Sequence, residues 1–326
     1  MKGFLQKQWL ILALGGAVAL AFVFPEWGAS GGSLRSEVTT KLGIILVFFL
    51  QGWALPSEVL ARGVLRWRTH LLIQVFIFFL YPLLFILGDL VWSQWIGHPL
   101  RIGFFFLAVL PTTITSAIVY TSLADGNTGV ALFNTTVANF AAVLITPLWM
   151  MVLVQSDVGQ MGDFAGVFLK LTRLILLPFL VGQVIHYYFK ETAIRHKILF
   201  GHINQGVIIF LVFAAFANSV KGGIWESQGW GMLWFTALLC LALFLLVNAL
   251  ALLFIRLDFF TQEEKPAVLF CSTQKTLATG ATFGNSLFGA DPTLGIILLP
   301  VIVYHPIQLV LGGLLIPWFK GERTGS

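Results

Sequence analysis

The stretch 267-AVLFCSTQKTLATGATFG-284 places a lysine, a glutamine, five hydroxyl side chains and two glycines inside an otherwise apolar segment. A lysine at the centre of a membrane span costs about 2.5–3.5 kcal/mol on insertion scales. Lys275 is too far from either end of the segment to reach the membrane surface, so we expect its side chain to face the protein interior. Such a residue indicates a functional site; the alternative is a lysine that bonds carbonyls and only holds helices together.

The composition predicts an integral membrane protein. Of the 326 residues, 58% are apolar and 10% are charged, and the mean hydropathy is +0.91, whereas a soluble domain carries about 25% charged residues. The 31 Phe and 11 Trp residues fit a chain with interfacial aromatic side chains. The apolar run after Lys7 has no clear cleavage site, so we interpret it as a retained first helix, in a bacterial inner or plasma membrane.

Ten apolar segments are long enough to cross the membrane, since a span needs about 20 apolar residues. Their connections are short, which predicts one membrane domain over residues 1–326 with no soluble appendage. The segments cover roughly residues 8–25, 41–58, 69–92, 101–123, 128–154, 165–189, 199–220, 230–255, 266–288 and 292–318.

Ten spans put both termini on one side of the membrane, and the charges indicate which side. Twelve Lys and Arg residues fall on the side of the termini and six on the other, with Lys275 left over inside a span. The positive-inside rule then places both termini in the cytoplasm. We attribute the net charge of +5 to this topology, so lipid rather than nucleic acid is the expected partner. The sequence leaves the oligomeric state open.

The fourth and ninth segments resemble each other. The fourth reads 108-AVLPTTITSAIVYTSLADGNTG-129; like the ninth, it begins Ala-Val-Leu, becomes rich in hydroxyls and ends in a Gly/Asn turn. Because five spans separate the two, repeats over about residues 1–155 and 160–320 would be inverted in the membrane. Inverted repeats with interrupted helices are typical of secondary transporters, whose binding site lies near the midplane. The predicted fold is therefore all-α, with ten transmembrane helices in two inverted five-helix repeats.

Pro111 predicts an interruption of the fourth segment, because proline lacks a backbone donor and clashes with the preceding turn. Helix amino ends favour anions and carboxyl ends favour cations. We expect Lys275 to lie near this interruption, with Thr, Ser, Gln or Asn side chains as partners of its ammonium group. The candidate substrate- or ion-binding residues are Gln74, Thr112, Thr113, Thr115, Ser116, Asn134, Asn139, Thr273, Gln274, Lys275 and Thr276.

Several functions are disfavoured by residues that the spans lack. Every Asp and Glu falls at the end of a predicted span or in a loop, although sodium sites and proton relays usually use a carboxylate. Cys240 and Cys271 have neither a disulfide pattern nor zinc-ligand spacing. His305 is interpreted as a core histidine, with a proton carrier as the alternative. No enzyme motif is present, so no catalytic residue, metal or cofactor is expected.

Three stretches carry a family resemblance: 45-ILVFFLQGWALPSEVLARG-63 with 70-HLLIQVFIFFLYP-82, 111-PTTITSA-117 and 268-VLFCSTQKTLATG-280. The chain resembles the bile-acid:sodium symporter superfamily, in the sodium-bile-acid-symporter-like branch that includes the vertebrate seventh member and the fungal calcium-homeostasis regulators. This resemblance implies a panel domain of spans 1, 2, 6 and 7 and a core domain of spans 3–5 and 8–10. It also implies that broken helices 4 and 9 cross near the middle, with the substrate cavity between panel and core.

The sodium ligands of the family transfer only in part. The Ser-Asn pair of the fourth helix reads Ser116-Ala117 here, and the glutamate of the ninth helix reads Phe270 or Cys271. The following Gln-Asn-Ser reads Gln274-Lys275-Thr276, while Gln74 corresponds to the third-helix glutamine. Na⁺ coupling is therefore disfavoured, and Lys275 is expected to supply in cis the positive charge that Na⁺ supplies in coupled members.

Three functions follow as alternatives. The broken inverted repeats favour a secondary transporter of a small organic anion that works by alternating access. The family branch raises the alternative of a membrane regulator of calcium or ion homeostasis without robust solute transport. A channel-like pore is supported only by the polar residues within the spans.

Overall fold

The structure is a computed structural model that describes residues 2–54, 66–158, 169–170, 172–227, 230–256, 259–289 and 291–319. These residues form helices and turns, and no strand occurs among them. The helices are α1 (Lys2–Val23), α2 (Pro25–Gly28), α3 (Ser36–Ala54), α4 (Trp67–Val75), α5 (Tyr81–Trp92), α6 (His98–Val109), α7 (Ile114–Leu123), α8 (Thr128–Val158), α9 (Leu177–Tyr188), α10 (Lys190–Arg195), α11 (Lys197–Lys221), α12 (Trp230–Phe254), α13 (Glu264–Thr273), α14 (Leu277–Phe288) and α15 (Leu294–Leu314), with π-helical segments Phe76–Leu80 and Thr172–Leu176 and a 3-10 turn Ile224–Ser227.

The prediction of an all-α polytopic membrane protein is confirmed. Within the described ranges, six helices are long and apolar enough to cross a membrane, and the bent pair α6 and α7 is a seventh candidate. Large apolar side chains point outward, such as Leu90 and Trp234, which are 78% and 77% exposed and would lie against lipid. The count of ten spans stays a prediction; parts of the second and sixth predicted segments, residues 55–58, 165–168 and 171, lie outside the described residues.

The chain divides into two compact units. The first contains α1–α3 and α9–α11, together with the later part of α14 and the beginning of α15. Within it, α3 packs closely on α9 at Gly52 and Gly182, where an added Cβ would overlap the Phe179 and Phe49 carbonyl oxygens. Glycine at both positions therefore allows two helix backbones to approach as closely as membrane helices commonly do.

The second unit contains α4–α8, α12, α13, the start of α14 and most of α15. Three of its predicted spans depart from a regular α-helix. The third carries the π-helical segment Phe76–Leu80, the fourth bends by 53° between α6 and α7, and the ninth stops between α13 and α14. Each irregularity leaves backbone groups that lack their usual intrahelical partners. The site is built from those groups.

Candidate substrate and ion site

The break in the fourth span covers Leu110–Thr113. Leu110 and Thr113 are extended, with ψ angles of 150° and 136°, on either side of Pro111. Because proline supplies no N–H and disfavours helix in the residue before it, α6 must end there. The carbonyls at the end of α6 then need donors from elsewhere, since a lone buried carbonyl at bilayer depth is costly.

Each carbonyl from Ala108 to Thr112 accepts a hydrogen bond from another part of the second unit. The Thr146 hydroxyl donates to the Val109 oxygen at 2.8 Å, and Asn139 Nδ2 donates to the Thr112 oxygen at 2.9 Å. The backbone N–H of Thr276 donates to the Pro111 oxygen at 3.1 Å. This last bond joins the two broken helices directly, so the expected contact between the two interrupted segments is present.

The ninth span is interrupted at Gln274–Thr276, where Gln274 is extended at φ −87° and ψ 147°. One side chain from α15 holds this segment at both backbone polar groups of Lys275. The Lys275 N–H donates to Gln308 Oε1 at 2.7 Å, and Gln308 Nε2 donates to the Lys275 carbonyl at 2.7 Å. Gln308 is completely buried. Its amide thus pairs with the Lys275 backbone as a neighbouring strand would.

The Lys275 ammonium lies at the meeting point of the two broken spans and the π-helical segment, with the residue only 1% exposed. Its Nζ donates to the carbonyl oxygens of Ala108 and Leu110 at 2.7 Å each, and to that of Ile77 at 3.3 Å. The Tyr81 ring centroid is 4.1 Å from Nζ, within the range of a cation–π interaction. A lysine ammonium has three donors, and all three are used here.

The electrostatics of this arrangement favour a cation. The carboxyl end of α6 carries a partial negative charge, and a π-helical segment leaves acceptors that an α-helix would have used. In the part of the chain that is described, no carboxylate pairs with Lys275, and no group of three or more His, Cys, Asp or Glu residues could hold a metal ion. The positive charge is therefore compensated by backbone dipoles and an aromatic face.

The predicted partners of the ammonium were wrong. Hydroxyl and amide side chains were expected, but none of them bonds to Nζ; the expected set was Thr112, Thr113, Thr115, Ser116, Gln274 and Asn134. The physical reason is that helix-end carbonyls have no alternative donor in an apolar interior. A hydroxyl can instead bond back to the carbonyl one turn earlier in its own helix.

The predicted site residues nearest the two breaks form a second set of contacts. Ser116 Oγ donates to Gln274 Oε1 at 2.5 Å. Thr279 Oγ1 donates to Asn139 Oδ1 at 3.1 Å, so Asn139 bridges the fourth-span break and the start of α14. Thr276 Oγ1 accepts from the Thr279 N–H at 3.3 Å, capping α14. The Thr273 hydroxyl donates to the Leu269 carbonyl one turn earlier, and the Thr273 carbonyl accepts from the Tyr304 hydroxyl.

Other predicted residues lie in different surroundings. Gln74 Nε2 donates to the carbonyl and to Oδ1 of Asn134 at 3.1 and 3.2 Å, and Asn134 Nδ2 lies 2.8 Å from His70 Nδ1. These three form a network of their own between α4 and α8. Thr115 is exposed, and Thr113 is the half-buried residue before α7 without a side-chain cap. The structure therefore does not bring Gln74, Asn134, Thr113 or Thr115 to the ammonium.

Two of the predicted site residues beside the crossing each have a buried polar atom without a hydrogen-bond partner among the described residues. The atoms are Gln274 Nε2 and Thr112 Oγ1, from residues that are 1% and 0% exposed. Gln274 Nε2 faces Gly312 of α15, 3.7 Å from the position that a Cβ would take there. Buried donors of this kind usually have partners, so a spare donor suggests a place for a ligand.

Sequence reasoning missed Gln308, Tyr81 and Thr146. Gln308 had a detectable signal, because it is an amide in an apolar span, three residues after His305. Tyr81 and Thr146 had none, since one tyrosine or threonine in an apolar helix is usually packed or bonded locally. Only their approach to the carbonyls and to the ammonium distinguishes them.

A polytopic helical membrane protein with a buried cation at the ends of two broken spans has an arrangement that is typical of membrane transporters. The model of the SBF-like CPA transporter family matches residues 8–321, and the chain belongs to that family. The resemblance to the bile-acid symporter type is thereby confirmed.

Three relatives illustrate the family. An uncharacterized protein of Pseudomonas aeruginosa is 32% identical over 97% of this chain and 93% of its own. Sodium/bile acid cotransporter 7 of Rattus norvegicus is 27% identical over 97% of this chain and 93% of its own. The protein of the same name from Danio rerio is 27% identical over 98% and 96% of the two chains.

Proposed function

We propose that this protein is a secondary transporter of a small organic anion that works by alternating access and without sodium coupling. It would reside in a bacterial inner membrane with both termini in the cytoplasm. The observation that carries the proposal is Gln274 Nε2, a buried donor that has no partner among the described residues and lies beside the Lys275 ammonium, where the two broken spans meet. The carbonyl ligands of that ammonium also fit a lysine that only holds helices together.

We infer the absence of sodium coupling because the Lys275 ammonium occupies the carbonyl oxygens that could otherwise bind Na⁺. Carbonyl oxygens freed by broken helices are the ligands that coordinate Na⁺ in transporters. Here the carbonyls of Ala108 and Leu110 already accept from Nζ. A second cation among the same oxygens would meet a fixed positive charge within a few ångströms in a medium of low dielectric. The residues present therefore fit a tethered ammonium and not a free sodium ion.

An anionic substrate is supported by the donors that remain. The amino ends of α7 and α14 lie beside the crossing, and helix amino ends favour anions. Gln274 Nε2 is a buried donor that has no partner in the described part of the chain. Since every donor of Lys275 is used, its role is to hold a positive charge near the substrate rather than to bond it. Relatives named sodium/bile acid cotransporter 7 make a bile acid a sensible first substrate to test.

The ten-helix repeat belongs to the same proposal. One compact unit contains α1–α3 and α9–α11, as a panel of spans 1, 2, 6 and 7 would, and also residues 280–298 of the ninth and tenth spans, which the panel and core division would place in the core. The other contains the irregular third, fourth and ninth spans, as a core would. Cysteine-accessibility labelling at both ends tests the topology, and a terminus found outside contradicts it.

Uptake by purified protein in proteoliposomes tests the function. We expect saturable, counterflow-competent uptake of taurocholate or another organic anion from a panel. Gln274→Leu should abolish it, because the spare donor is lost, whereas the control Ser122→Ala, at an exposed residue of α7 outside the candidate set, should transport like wild type. Absence of uptake for every anion by correctly folded protein would favour the regulatory alternative.

A further inference from the structure

The amide of Gln308 has only one orientation that satisfies its neighbours. Its oxygen must face the Lys275 N–H and its nitrogen must face the Lys275 carbonyl, as the two 2.7 Å contacts show. Turning the amide over would set donor against donor and acceptor against acceptor. The Lys275 backbone therefore decides which end of the side chain carries the hydrogens.

This orientation in turn fixes the protonation of His305. Gln308 Nε2 lies 3.0 Å from His305 Nδ1, and Nε2 is a donor only. Nδ1 must therefore be the bare, accepting nitrogen of a neutral imidazole. A second proton on the ring would place N–H against N–H at this contact, and Gln308 could not turn over to relieve it without losing both bonds to Lys275.

The surroundings of His305 offer no compensating negative charge. Among the described residues its hydrogen-bonding neighbours are Gln308 and the Lys275 backbone, and no carboxylate contacts it. A protonated ring would therefore compete with Gln308 Nε2 for the Lys275 carbonyl. His305 is half-buried, so a proton can reach it, whereas Gln308 is sealed from solvent. Among the described residues, the titratable groups in contact with this part of α15, or lying on it or at the Lys275 break, are Lys275, Tyr81, Tyr120, Cys240 and Tyr304. The carboxylates of Asp89 and Glu264, on two of the same elements, pair with Arg101 and Arg66.

We propose that protonation of His305 releases Gln308 from the Lys275 backbone and loosens the ninth-span break, which makes the site proton-sensitive. Gln308 is then a positioning residue and His305 is its switch. Pro306, between the two, removes one helical hydrogen bond and gives α15 room to adjust. The switch is argued from the geometry alone. Its expected consequence, slower transport at acidic pH, rests on the proposed function.

The Lys275 amide is the reporter, because Gln308 Oε1 is its acceptor. Hydrogen–deuterium exchange, resolved to this residue by mass spectrometry, gives its protection relative to the intrinsic rate at each pH. Between pH 8 and pH 4 we expect wild-type protection to fall by about tenfold or more, as expected when a local contact opens. His305→Asn keeps an acceptor but cannot take up the proton, so its protection should stay high throughout.

Two further variants complete the design. Gln308→Leu should show low protection at every pH, and His202→Asn, an exposed histidine of α11, should follow wild type. The proposal is overturned if wild-type protection does not change with pH, or if His305→Asn loses protection as wild type does; this pair decides even if Gln308→Leu does not fold. If the protein takes up no anion but shows the expected exchange pattern, the proposed function is wrong and the proton switch at His305 is still supported.

Discussion

The two broken spans meet at one point, yet they are held in opposite ways. The fourth-span break, Leu110–Thr113, is held through its acceptors. Its carbonyl oxygens, and those just before it, accept hydrogen bonds from side chains of α8, from a backbone N–H of the ninth span and from the Lys275 ammonium. At the ninth-span break, Gln274–Thr276, one side chain, Gln308, takes both the N–H and the carbonyl of Lys275.

This difference separates a fixed part of the site from a switchable one. Several independent donors hold the fourth-span break, so losing one leaves the others in place. A single side chain holds both polar groups of the Lys275 backbone, so one event can release them together. The predictions below test this contrast, beginning with the substitution that should do the most damage.

Lys275→Met should be the most destabilising change. It leaves the Ala108 and Leu110 carbonyls buried without donors, at about 1–3 kcal/mol for each. We expect a clear fall in the thermal unfolding midpoint in detergent. Lys221→Met is the matched control, because its ammonium pairs with Glu26 on the exposed surface, where such pairs contribute about 0–1 kcal/mol. Equal midpoints for the two variants would refute the structural role of the ammonium.

Asn139→Leu should cost less, about 1–3 kcal/mol, because it removes one donor to the Thr112 carbonyl and one acceptor for Thr279. The matched control is Asn248→Leu in α12, whose amide bonds, within the described ranges, to the Phe244 carbonyl of its own helix and to nothing else. Denaturation in detergent compares the two. If Asn248→Leu lowers the free energy of unfolding as much as Asn139→Leu does, the Asn139 bridge between the breaks does not contribute more than an ordinary buried amide.

Glu264→Gln tests the region where α13 begins, away from the breaks. Burial acts to raise the pKa of Glu264, but hydrogen bonds from Thr261 and Arg66 outweigh it and hold the pKa below its ordinary 4.5. Its contribution to stability is therefore present above that value and lost as the pH falls through the lowered pKa. Wild type should exceed the variant at pH 7, and the two should converge in acid.

The measurement for Glu264 is the unfolding midpoint from pH 7 to pH 3. Glu263→Gln, at the exposed neighbouring residue, is the control and should follow wild type. A difference between wild type and Glu264→Gln that stays constant over this range would show that the carboxylate's charge contributes nothing.

Thr146→Val should have the smallest effect at the breaks, about 1–3 kcal/mol, because it leaves one carbonyl, that of Val109, without its donor. Thr236→Val is an isosteric control, since that hydroxyl bonds back to Met232 in its own helix and to no other residue that the structure describes. Unfolding midpoints should rank Thr146→Val below Thr236→Val, and the reverse order would argue that the capping bond is unimportant.

Much of the architecture was readable from the sequence because it depends on local chemistry. Length and apolarity predict spans, and Pro111 requires an end to α6. The polar centre of the ninth segment marked the second break, and its expected contact with the first is present. Each of these signals lies in one segment or in the match between two.

The partners of Lys275 could not be predicted from the sequence, because they do not depend on local chemistry. Carbonyls are left without intrahelical partners where π-helical or extended backbone replaces α-helix. No feature of the composition indicated the π-helical segment Phe76–Leu80. The approach of Gln308 to Lys275 depends on packing between spans. Gln74 and Asn134 carry the same polar groups as residues at the crossing, yet tertiary packing directs them to each other.

The most direct test of the central claim is the unfolding midpoint of purified protein as NaCl replaces choline chloride at constant ionic strength. If the Lys275 ammonium takes the place of a coupling cation, wild type should not respond to Na⁺. Lys275→Ala, which frees the carbonyls of Ala108 and Leu110, should gain stability with Na⁺, by about 2.7 kcal/mol at a hundredfold excess over the dissociation constant. A wild-type midpoint that rises with Na⁺ would contradict the account.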